Sequence, residues 1–195
     1  MAITTEQIKE LRSATGVSIM QCKKALEEVD GDIEKAQILL RKLSKKAADK
    51  KADRELGSGV VSSYIHGEGS VGAMVELLCE TDFVSKNEGF LELARDLAMH
   101  IAASAPAYIR ESDIAEADQT KATEIFKEEV ADKPAEMQEQ ILEGKLAAYF
   151  ADKTLVKQNF IKNPEKTIEQ LIEEGIQKFG EKIEIGRMSR FSISA

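Results

Sequence analysis

The chain has 195 residues, of which 43% are hydrophobic and 32% charged, and its formal net charge is −8. These values are typical of a globular protein with one medium-sized and one small domain. No stretch approaches the roughly 18 apolar residues that a membrane helix requires, and the N-terminus lacks the apolar segment of a signal peptide. We therefore expect a cytoplasmic protein without a membrane segment.

The charge is distributed unevenly along the chain. Residues 1–54 carry 12 Lys and Arg against 9 Asp and Glu, whereas the remaining residues carry 15 against 26. An acidic protein binds nucleic acids poorly, because contacts to phosphates supply most of the nonspecific affinity. The one basic stretch, residues 41–54, lacks aromatic side chains for base stacking. We expect no direct binding of nucleic acid; RNA contact by this stretch is the minor alternative.

Residues 1–43 have the pattern of three short helices. Thr4 with Gln7, and Ser18 with Gln21, form capping-box pairs, which satisfy free backbone N–H groups at two helix starts. Three helices in so short a segment lie near the lower size limit for independent folding. The segment predicts a small bundle that resembles a ubiquitin-associated domain.

Ile19 and Met20, at the start of the second predicted helix, are both apolar. Adjacent helical side chains point about 100° apart, so the two cannot easily both face a three-helix core. We expect one of them to be exposed. It is either an ordinary surface residue or an anchor for a partner protein, with Arg12 nearby to orient that partner.

The remainder of the chain predicts an α+β core. Residues 44–56 lack a periodic apolar face and are interpreted as a basic, partly helical linker to a core at residues 57–195. Strands and helices are segregated in this core, which favours a small antiparallel sheet packed with helices. The expected elements are strands at 60–66 and 71–79, helices at 87–104, 118–132, 135–151 and 164–179, and a third strand at 182–193.

A glycine pattern in the core has a second interpretation. Gly67, Gly69 and Gly72 match G-x-G-x-x-G, which binds dinucleotides only between a strand and a helix. Here the following residues alternate like a strand, so the glycines are assigned to a hairpin turn. We expect no cofactor, and without a phosphate loop the chain is not expected to bind GDP or GTP itself.

The candidate reactive side chains do not form a catalytic set. His66 and His100 have no nucleophile partner in a known motif and no metal-ligand spacing with Cys22 and Cys79. His66 is expected at the surface, and His100 is expected to be a partly exposed structural residue. The two cysteines are expected to be small buried hydrophobic residues. We predict neither a catalytic residue nor a metal site.

The turn Thr81-Asp82-Phe83-Val84 joins the second predicted strand to a strong amphipathic helix. Binding residues concentrate in such turns, and Phe is unfavourable in water. The ring can therefore act as a wedge that enters an apolar slot while the carboxylate of Asp82 disturbs an adjacent polar site. The alternative is that Phe83 packs into its own core and Asp82 only shapes the turn.

Three blocks of the sequence together form a recognisable pattern: Leu11-Arg12 with Thr15–Leu26, Ser63–His66 with Val75–Asn87, and Arg187–Phe191. These blocks, their order and their separation resemble the elongation factor Ts family. The resemblance covers essentially the whole chain, although many members have Asp where Gln21 stands and Met where Ile19 stands.

The resemblance implies a guanine-nucleotide exchange factor for elongation factor Tu that performs no covalent chemistry. It implies that Thr81, Asp82, Phe83 and Val84 enter the partner's GTPase domain beside its Mg²⁺, while Arg12, Ile19 and Met20 of the bundle grip a neighbouring helix.

The chain resembles a short bacterial form of the family with a single core subdomain, where longer members have two. We therefore expect a homodimer through the core. The third strand would offer a self-complementary face formed by Ile183, Ile185, Phe191 and Ile193.

Two other classes of function remain open. In one, the chain is an adaptor whose bundle binds a ubiquitin-like or nascent-chain partner. In the other, it is an enzyme that uses the glycine pattern.

Overall fold

The computed structural model describes residues 3–193, so the first two residues of the predicted bundle and the last two of the predicted core lie outside it. The fold is α+β, which confirms the predicted class. The helices and strands in chain order are α1 (Thr5–Thr15), α2 (Ile19–Glu28), α3 (Ile33–Asp49), β1 (Ser58–His66), β2 (Val71–Cys79), α4 (Asp82–Ser85), α5 (Glu88–Ser104), α6 (Glu116–Val130), α7 (Ala135–Lys153), β3 (Asn159–Phe160), β4 (Asn163–Thr167), α8 (Ile168–Phe179) and β5 (Ile183–Ser192). None of the helices within the described range is long and apolar enough to span a bilayer.

The first three helices form a bundle with its own apolar core. Both predicted capping boxes are present, one at the start of α1 and one at the start of α2. Because each box satisfies free backbone N–H groups, it fixes the residue at which its helix begins. The core of the bundle contains Leu11, Val17, Cys22, Ala25, Leu26, Ala36 and Leu40.

The bundle is joined directly to the core domain. Helix α3 continues to Asp49, into the segment predicted as a partly helical linker, and packs along α8. Ser44 of α3 is buried and hydrogen-bonds to Gln177 of α8. The ammonium of Lys166 donates to the Ala14 carbonyl at 3.1 Å and pairs with Glu174 at 2.9 Å. These contacts attach the bundle to the core through side chains on both sides of the boundary.

The main sheet is antiparallel, with the strand order β1-β2-β5. A short turn at Gly67–Gly69 joins β1 to β2, so these glycines serve a hairpin. Helix α5 covers one face of the sheet, where Phe90, Leu97 and Ile101 are completely buried. The main core therefore lies between α5, α8 and this face.

A bulge interrupts the pairing of β2 with β5. Leu77 pairs with Ile185 but Val75 pairs with Met188, so β5 has one extra residue opposite Glu76. Bulges of this kind bend a strand and increase its twist. The guanidinium of Arg187 in the bulge lies 2.8 Å from the Glu76 carboxylate. That ion pair is on the side of the sheet away from α5.

The bulge makes the predicted face of the third strand wrong. Side chains alternate along a strand, and one extra residue moves all the following side chains to the opposite face. Ile183 and Ile185 precede the bulge and are buried against the helices, whereas Phe191 and Ile193 follow it and are exposed. The four residues therefore do not form one face.

Two further predictions differ from the structure. The helix predicted from residue 164 begins at Ile168, because residues 163–167 form β4 and pair with β3 instead. His100 is completely buried, rather than partly exposed, because α5 lies between the main sheet and the β3 segment. His66 is exposed at the end of β1, and both cysteines are free and buried, as predicted.

Candidate functional site

Phe83 projects from the turn between β2 and α5. It lies on the one-turn helix α4, and its side chain is 87% exposed, whereas that of its neighbour Val84 is only 8% exposed. Val84 belongs to the main core, so it anchors the turn while Phe83 is presented to solvent. The alternative in which Phe83 packs into its own core is thereby excluded. The resemblance implied that Val84 also enters the partner, but its side chain is already packed in the core.

Hydrogen bonds made by residues on either side of Phe83 in the sequence hold the turn in place. Ser58 of β1 donates to the hydroxyl of Ser85 at 2.9 Å, and the thiol of Cys79 donates to the carbonyl of Thr81 at 3.2 Å. Burial, and then the negative charge of Glu181, raise the pKa of the Cys79 thiol. The thiol therefore keeps its proton at neutral pH and remains a donor.

Asp82 is the acidic group of the turn, and it is exposed to solvent. Its carboxylate accepts a hydrogen bond of 2.7 Å from Lys86, one helical turn further along the chain. This hydrogen bond and the charge of Lys86 lower the pKa of Asp82. The side chain next to Phe83 therefore remains negatively charged at neutral pH.

The bundle presents a second exposed apolar patch, formed by Ile19 and Met20. Both side chains are exposed, at 56% and 80%, although the sequence suggested that one of them would be buried. Val17 precedes them and is buried, so it occupies the space in the bundle core that either residue could have filled. Arg12 is exposed on α1, one turn before the loop that leads to this patch.

A cleft of about 230 Å³ lies between the bundle and the core domain. Gly16 lines it from the loop between α1 and α2, and Gly89 lines it from the first turn of α5. Gly16 is three residues before Ile19, and Gly89 is six residues after Phe83. The segments that carry the two exposed apolar groups therefore continue into the lining of this cleft, although Ile19, Met20 and Phe83 do not line it themselves.

The sequence matches the family model described as Elongation factor TS over residues 6–194. The chain belongs to the elongation factor Ts family. Curated relatives named Elongation factor Ts match along nearly their whole length. The protein of Thermodesulfovibrio yellowstonii is 48% identical over 194 residues, which cover 99% of this chain and 97% of the relative. That of Thermosipho melanesiensis is 44% identical, with 98% of each chain covered, and that of Leptospira biflexa is 46% identical, with 99% and 98% covered.

Of the two longest blocks that resemble the elongation factor Ts family, the first lines the cleft through Thr15 and Gly16, and the second ends at Asn87, two residues before Gly89. The block that ends at Leu26 forms the α1–α2 corner, and the block that begins at Val75 forms β2 and the turn with Phe83. Sequence reasoning did not identify Lys166, which donates to Ala14 beside the first block, or Glu181, which accepts from Thr81 in the second. Neither carries a local signal, since each is one charged residue among many in this chain.

Proposed function

We propose that this chain is a guanine-nucleotide exchange factor that promotes the release of GDP from elongation factor Tu. The observation that carries the proposal is the exposure of Phe83 on an anchored turn, in a member of the elongation factor Ts family. An exposed aromatic ring on a rigid support can enter an apolar slot of a partner with little loss of conformational entropy. A partner in translation would place the chain in the cytoplasm.

The proposed mechanism is thermodynamic linkage without covalent chemistry. The chain binds the nucleotide-free partner more tightly than the GDP-bound partner. The bound chain therefore lowers the partner's affinity for GDP, and bound GDP lowers its affinity for the chain by the same factor. We propose that Thr81, Asp82 and Phe83 act beside the partner's Mg²⁺, while Val84 anchors them to the core. Mg²⁺ requires nearly ideal octahedral geometry, so a small displacement of its ligands or waters releases it. GDP then loses the cation that neutralises its phosphates.

Phe83 cannot supply the whole effect. Accelerating release by about 10³–10⁵ lowers the barrier by roughly 4–7 kcal/mol. Burying one Phe side chain contributes only about 1.5–3 kcal/mol. A second contact is therefore needed to hold the wedge on the partner.

We propose that Ile19 and Met20, oriented by Arg12, provide this second contact. The segments that carry the patch and the wedge continue into the walls of one cleft, at Gly16 and Gly89, which supports their binding to the same domain of the partner. Because the bundle is attached to the core through α3 and α8, binding at the patch also positions the wedge. In this proposal the bundle supplies affinity for the partner, and the turn with Phe83 displaces the ligands or waters of the partner's Mg²⁺.

We also propose that the chain is a homodimer through the open face of its main sheet. The face opposite α5 carries exposed apolar residues from all three strands and the residue after β5: Val61, Ile65, Met74, Phe191 and Ile193. One-sided antiparallel sheets usually present polar residues to water, and contiguous apolar patches mark interfaces. Two-fold dimers are the commonest closed assembly, so a second copy is the simplest cover for this face.

The direct test is the release of labelled GDP from elongation factor Tu with and without the chain. We expect the release rate to rise with the concentration of the chain and to reach a plateau. A rate that does not change at any concentration would refute the proposed function.

A further inference from the structure

Glu181 holds the residues that lead into the turn with Phe83. It lies between α8 and β5, and its carboxylate accepts three hydrogen bonds from the end of the β2 segment. One oxygen accepts from the backbone N–H of Glu80 at 3.1 Å and that of Thr81 at 3.0 Å. The other oxygen accepts from the Thr81 hydroxyl at 2.5 Å.

Glu80 makes the reverse contact. Its carboxylate accepts from the backbone N–H of Lys182 at 2.5 Å and from the Arg54 guanidinium at 3.1 Å. Burial opposes the ionisation of Glu80, but the hydrogen bonds from Lys182 and Arg54 outweigh it and lower the pKa of this carboxyl. Glu80 and Glu181 therefore form a reciprocal clamp, in which each carboxylate binds the backbone beside the other.

The clamp lies where the sheet ends. The last pair of the β2–β5 ladder is Cys79 with Ile183, and the clamp joins the residues immediately beyond that pair. Backbone N–H groups that leave a ladder need other acceptors, and carboxylates are strong ones. The side chains of Glu80 and Glu181 thus extend the link between β2 and β5 as far as Thr81, the first residue of the wedge.

Helix α4 requires such external support. It has a single turn, and helices this short are unstable by themselves because nucleation is unfavourable. Thr81 precedes α4 but makes no side-chain hydrogen bond to cap it, because its hydroxyl is directed to Glu181 instead. The position of Phe83 therefore depends on the buried side chain of Val84, on the hydrogen bonds made by Ser85 and Cys79, and on the clamp at the start of the turn.

We propose that Glu181 is a positioning residue for nucleotide exchange, which fixes Thr81 so that Phe83 is presented in one orientation. The inference rests on the proposed function. It differs from a contact role because Glu181 acts through Thr81 and is not required to touch the partner. Loss of the clamp should then reduce the effect of the wedge and leave binding by the bundle intact.

The test compares Glu181→Ala with Glu181→Gln, using Glu139→Ala on the exposed face of α7 as the control. The measured quantities are the maximal rate of GDP release from elongation factor Tu and the concentration of the chain that gives half of it. Glu181→Ala should lower the maximal rate about tenfold, or roughly 1.4 kcal/mol of barrier. The half-saturating concentration should change less than about twofold, because the bundle patch is intact. Glu139→Ala should match the parent.

Glu181→Gln should restore most of the maximal rate. The glutamine carbonyl can accept from both backbone N–H groups, and its amide can donate to the Thr81 hydroxyl. If Glu181→Gln is as slow as Glu181→Ala, the charge itself acts on the partner and the positioning role is wrong. If Glu181→Ala does not fold, Glu181→Gln alone is compared with the parent. A slow rate in this variant with normal amide protection at Glu80 and Thr81 would overturn the positioning role.

Amide hydrogen exchange reports on the clamp independently of activity. Glu181→Ala should accelerate exchange at the amides of Glu80 and Thr81, and Glu181→Gln should largely restore protection.

A double variant separates the role of Glu181 from that of the wedge. In a Phe83→Ala background, Glu181→Ala should slow GDP release by less than about twofold further, because the effects of coupled residues are not additive. If Phe83→Ala leaves the rate unchanged, the proposed wedge itself is wrong. If Phe83→Ala slows release but Glu181→Ala does not, only the role of Glu181 is overturned.

Discussion

The ammonium of Lys86 lies 2.7 Å from the carboxylate of Asp82, so the charge beside Phe83 is already paired in the free protein. Both side chains are more than half exposed, and exposed ion pairs contribute little to stability. The pair can therefore open on binding at small cost. Lys86 thus lowers the pKa of Asp82 in the free chain and can release its carboxylate when the partner's Mg²⁺ site is near.

The first prediction concerns this pair. Asp82→Asn should slow GDP release most at high Mg²⁺ concentration, and chelating Mg²⁺ should narrow the gap to the parent, because the carboxylate acts on the metal site. Lys86→Gln leaves the carboxylate free and should be no slower than the parent. The measurement is the rate of GDP release at several Mg²⁺ concentrations. An equal defect of Asp82→Asn at every concentration would mean that Asp82 only shapes the turn.

The second prediction concerns the wedge. Phe83→Ala should slow GDP release at least about tenfold, which corresponds to roughly 1.4 kcal/mol. The melting temperature should hardly change, because the ring is almost fully exposed and contributes little to the core. Phe83→Leu retains apolar bulk and should be less impaired. A clear fall in melting temperature for Phe83→Ala would show that the ring is structural after all.

The turn with Phe83 could be predicted because its signals are local. A strand pattern followed by Asp-Phe and a capped amphipathic helix places these residues at a strand-to-helix turn, and the structure has this arrangement. The two helix starts in the bundle were predictable for the same reason, since a capping box spans four residues. Residue patterns within a few consecutive positions were therefore sufficient to predict the turn with Phe83 and the two helix starts.

Features that depend on distant residues could not be predicted in this way. Glu76 and Arg187 meet at the bulge although they are 111 residues apart. Gly186 and Arg187 interrupt the alternation of β5 locally, but they do not show which residue of β2 lies opposite the bulge. Glu181 and Thr81 are likewise 100 residues apart. Which side chains of β5 face the core, and which residues support the turn with Phe83, therefore depend on the tertiary fold. The alternation of residues along one strand does not reveal either.

The third prediction concerns the bundle patch. Met20→Ala should raise the half-saturating concentration of the chain about tenfold, with a smaller effect on the maximal rate, because the patch supplies affinity. Ile38→Ala changes another exposed apolar side chain of the bundle and serves as the control. GDP release over a range of chain concentrations separates the two quantities. If Met20→Ala and Ile38→Ala have the same half-saturating concentration, the patch is ordinary surface and does not bind the partner.

Point substitutions test the bundle better than its removal does. Deleting residues 1–54 should leave a core that exchanges poorly, but it would also remove Ser44 and Ala48, which contact the core domain. The truncated core could then lose stability as well as the patch. Met20 is 80% exposed, so replacing it leaves the packing of the bundle intact.

The fourth prediction concerns assembly. Light scattering of the parent at micromolar concentration should give twice the chain mass of 21.5 kDa. Met74→Lys places a charge on the open sheet face and should shift the mass toward that of one chain, because burying an unpaired charge is unfavourable. Met137→Lys makes the same change on an exposed position of α7 and should remain dimeric. A monomeric parent that is active in exchange would show that one core subdomain is sufficient.

The last prediction concerns His100, which is buried between α5 and the β3 segment. Its Nε2 lies 3.0 Å from the side-chain oxygen of Gln158, and its Nδ1 accepts from the backbone N–H of Ile161 at 3.4 Å. Protonation of Nδ1 would break the second bond. Burial, only partly offset by the hydrogen bond to Gln158, lowers the pKa of His100.

The sign of the pH effect follows from this lowered pKa. In the unfolded chain His100 binds a proton near pH 6.5, whereas the folded chain binds it only at lower pH. The unfolded state therefore carries more protons below about pH 6.5, and the free energy of unfolding decreases as the pH falls through that range. Glu173 acts in the opposite direction, because burial, followed by the charge of Glu169, raises its pKa. The contribution of His100 must therefore be measured as a difference between variants.

His100→Gln, which is uncharged at all of these pH values, supplies that difference. The variant should melt below the parent at pH 7.5, because the packing around the ring is lost, but its melting temperature should fall less on acidification to pH 5.5. Each kcal/mol removed by protonation corresponds to about 2–4 °C for a chain of this size. Thermal unfolding followed by circular dichroism at several pH values measures both slopes. Parallel profiles for parent and variant would show that the titration of His100 does not contribute to stability in this range.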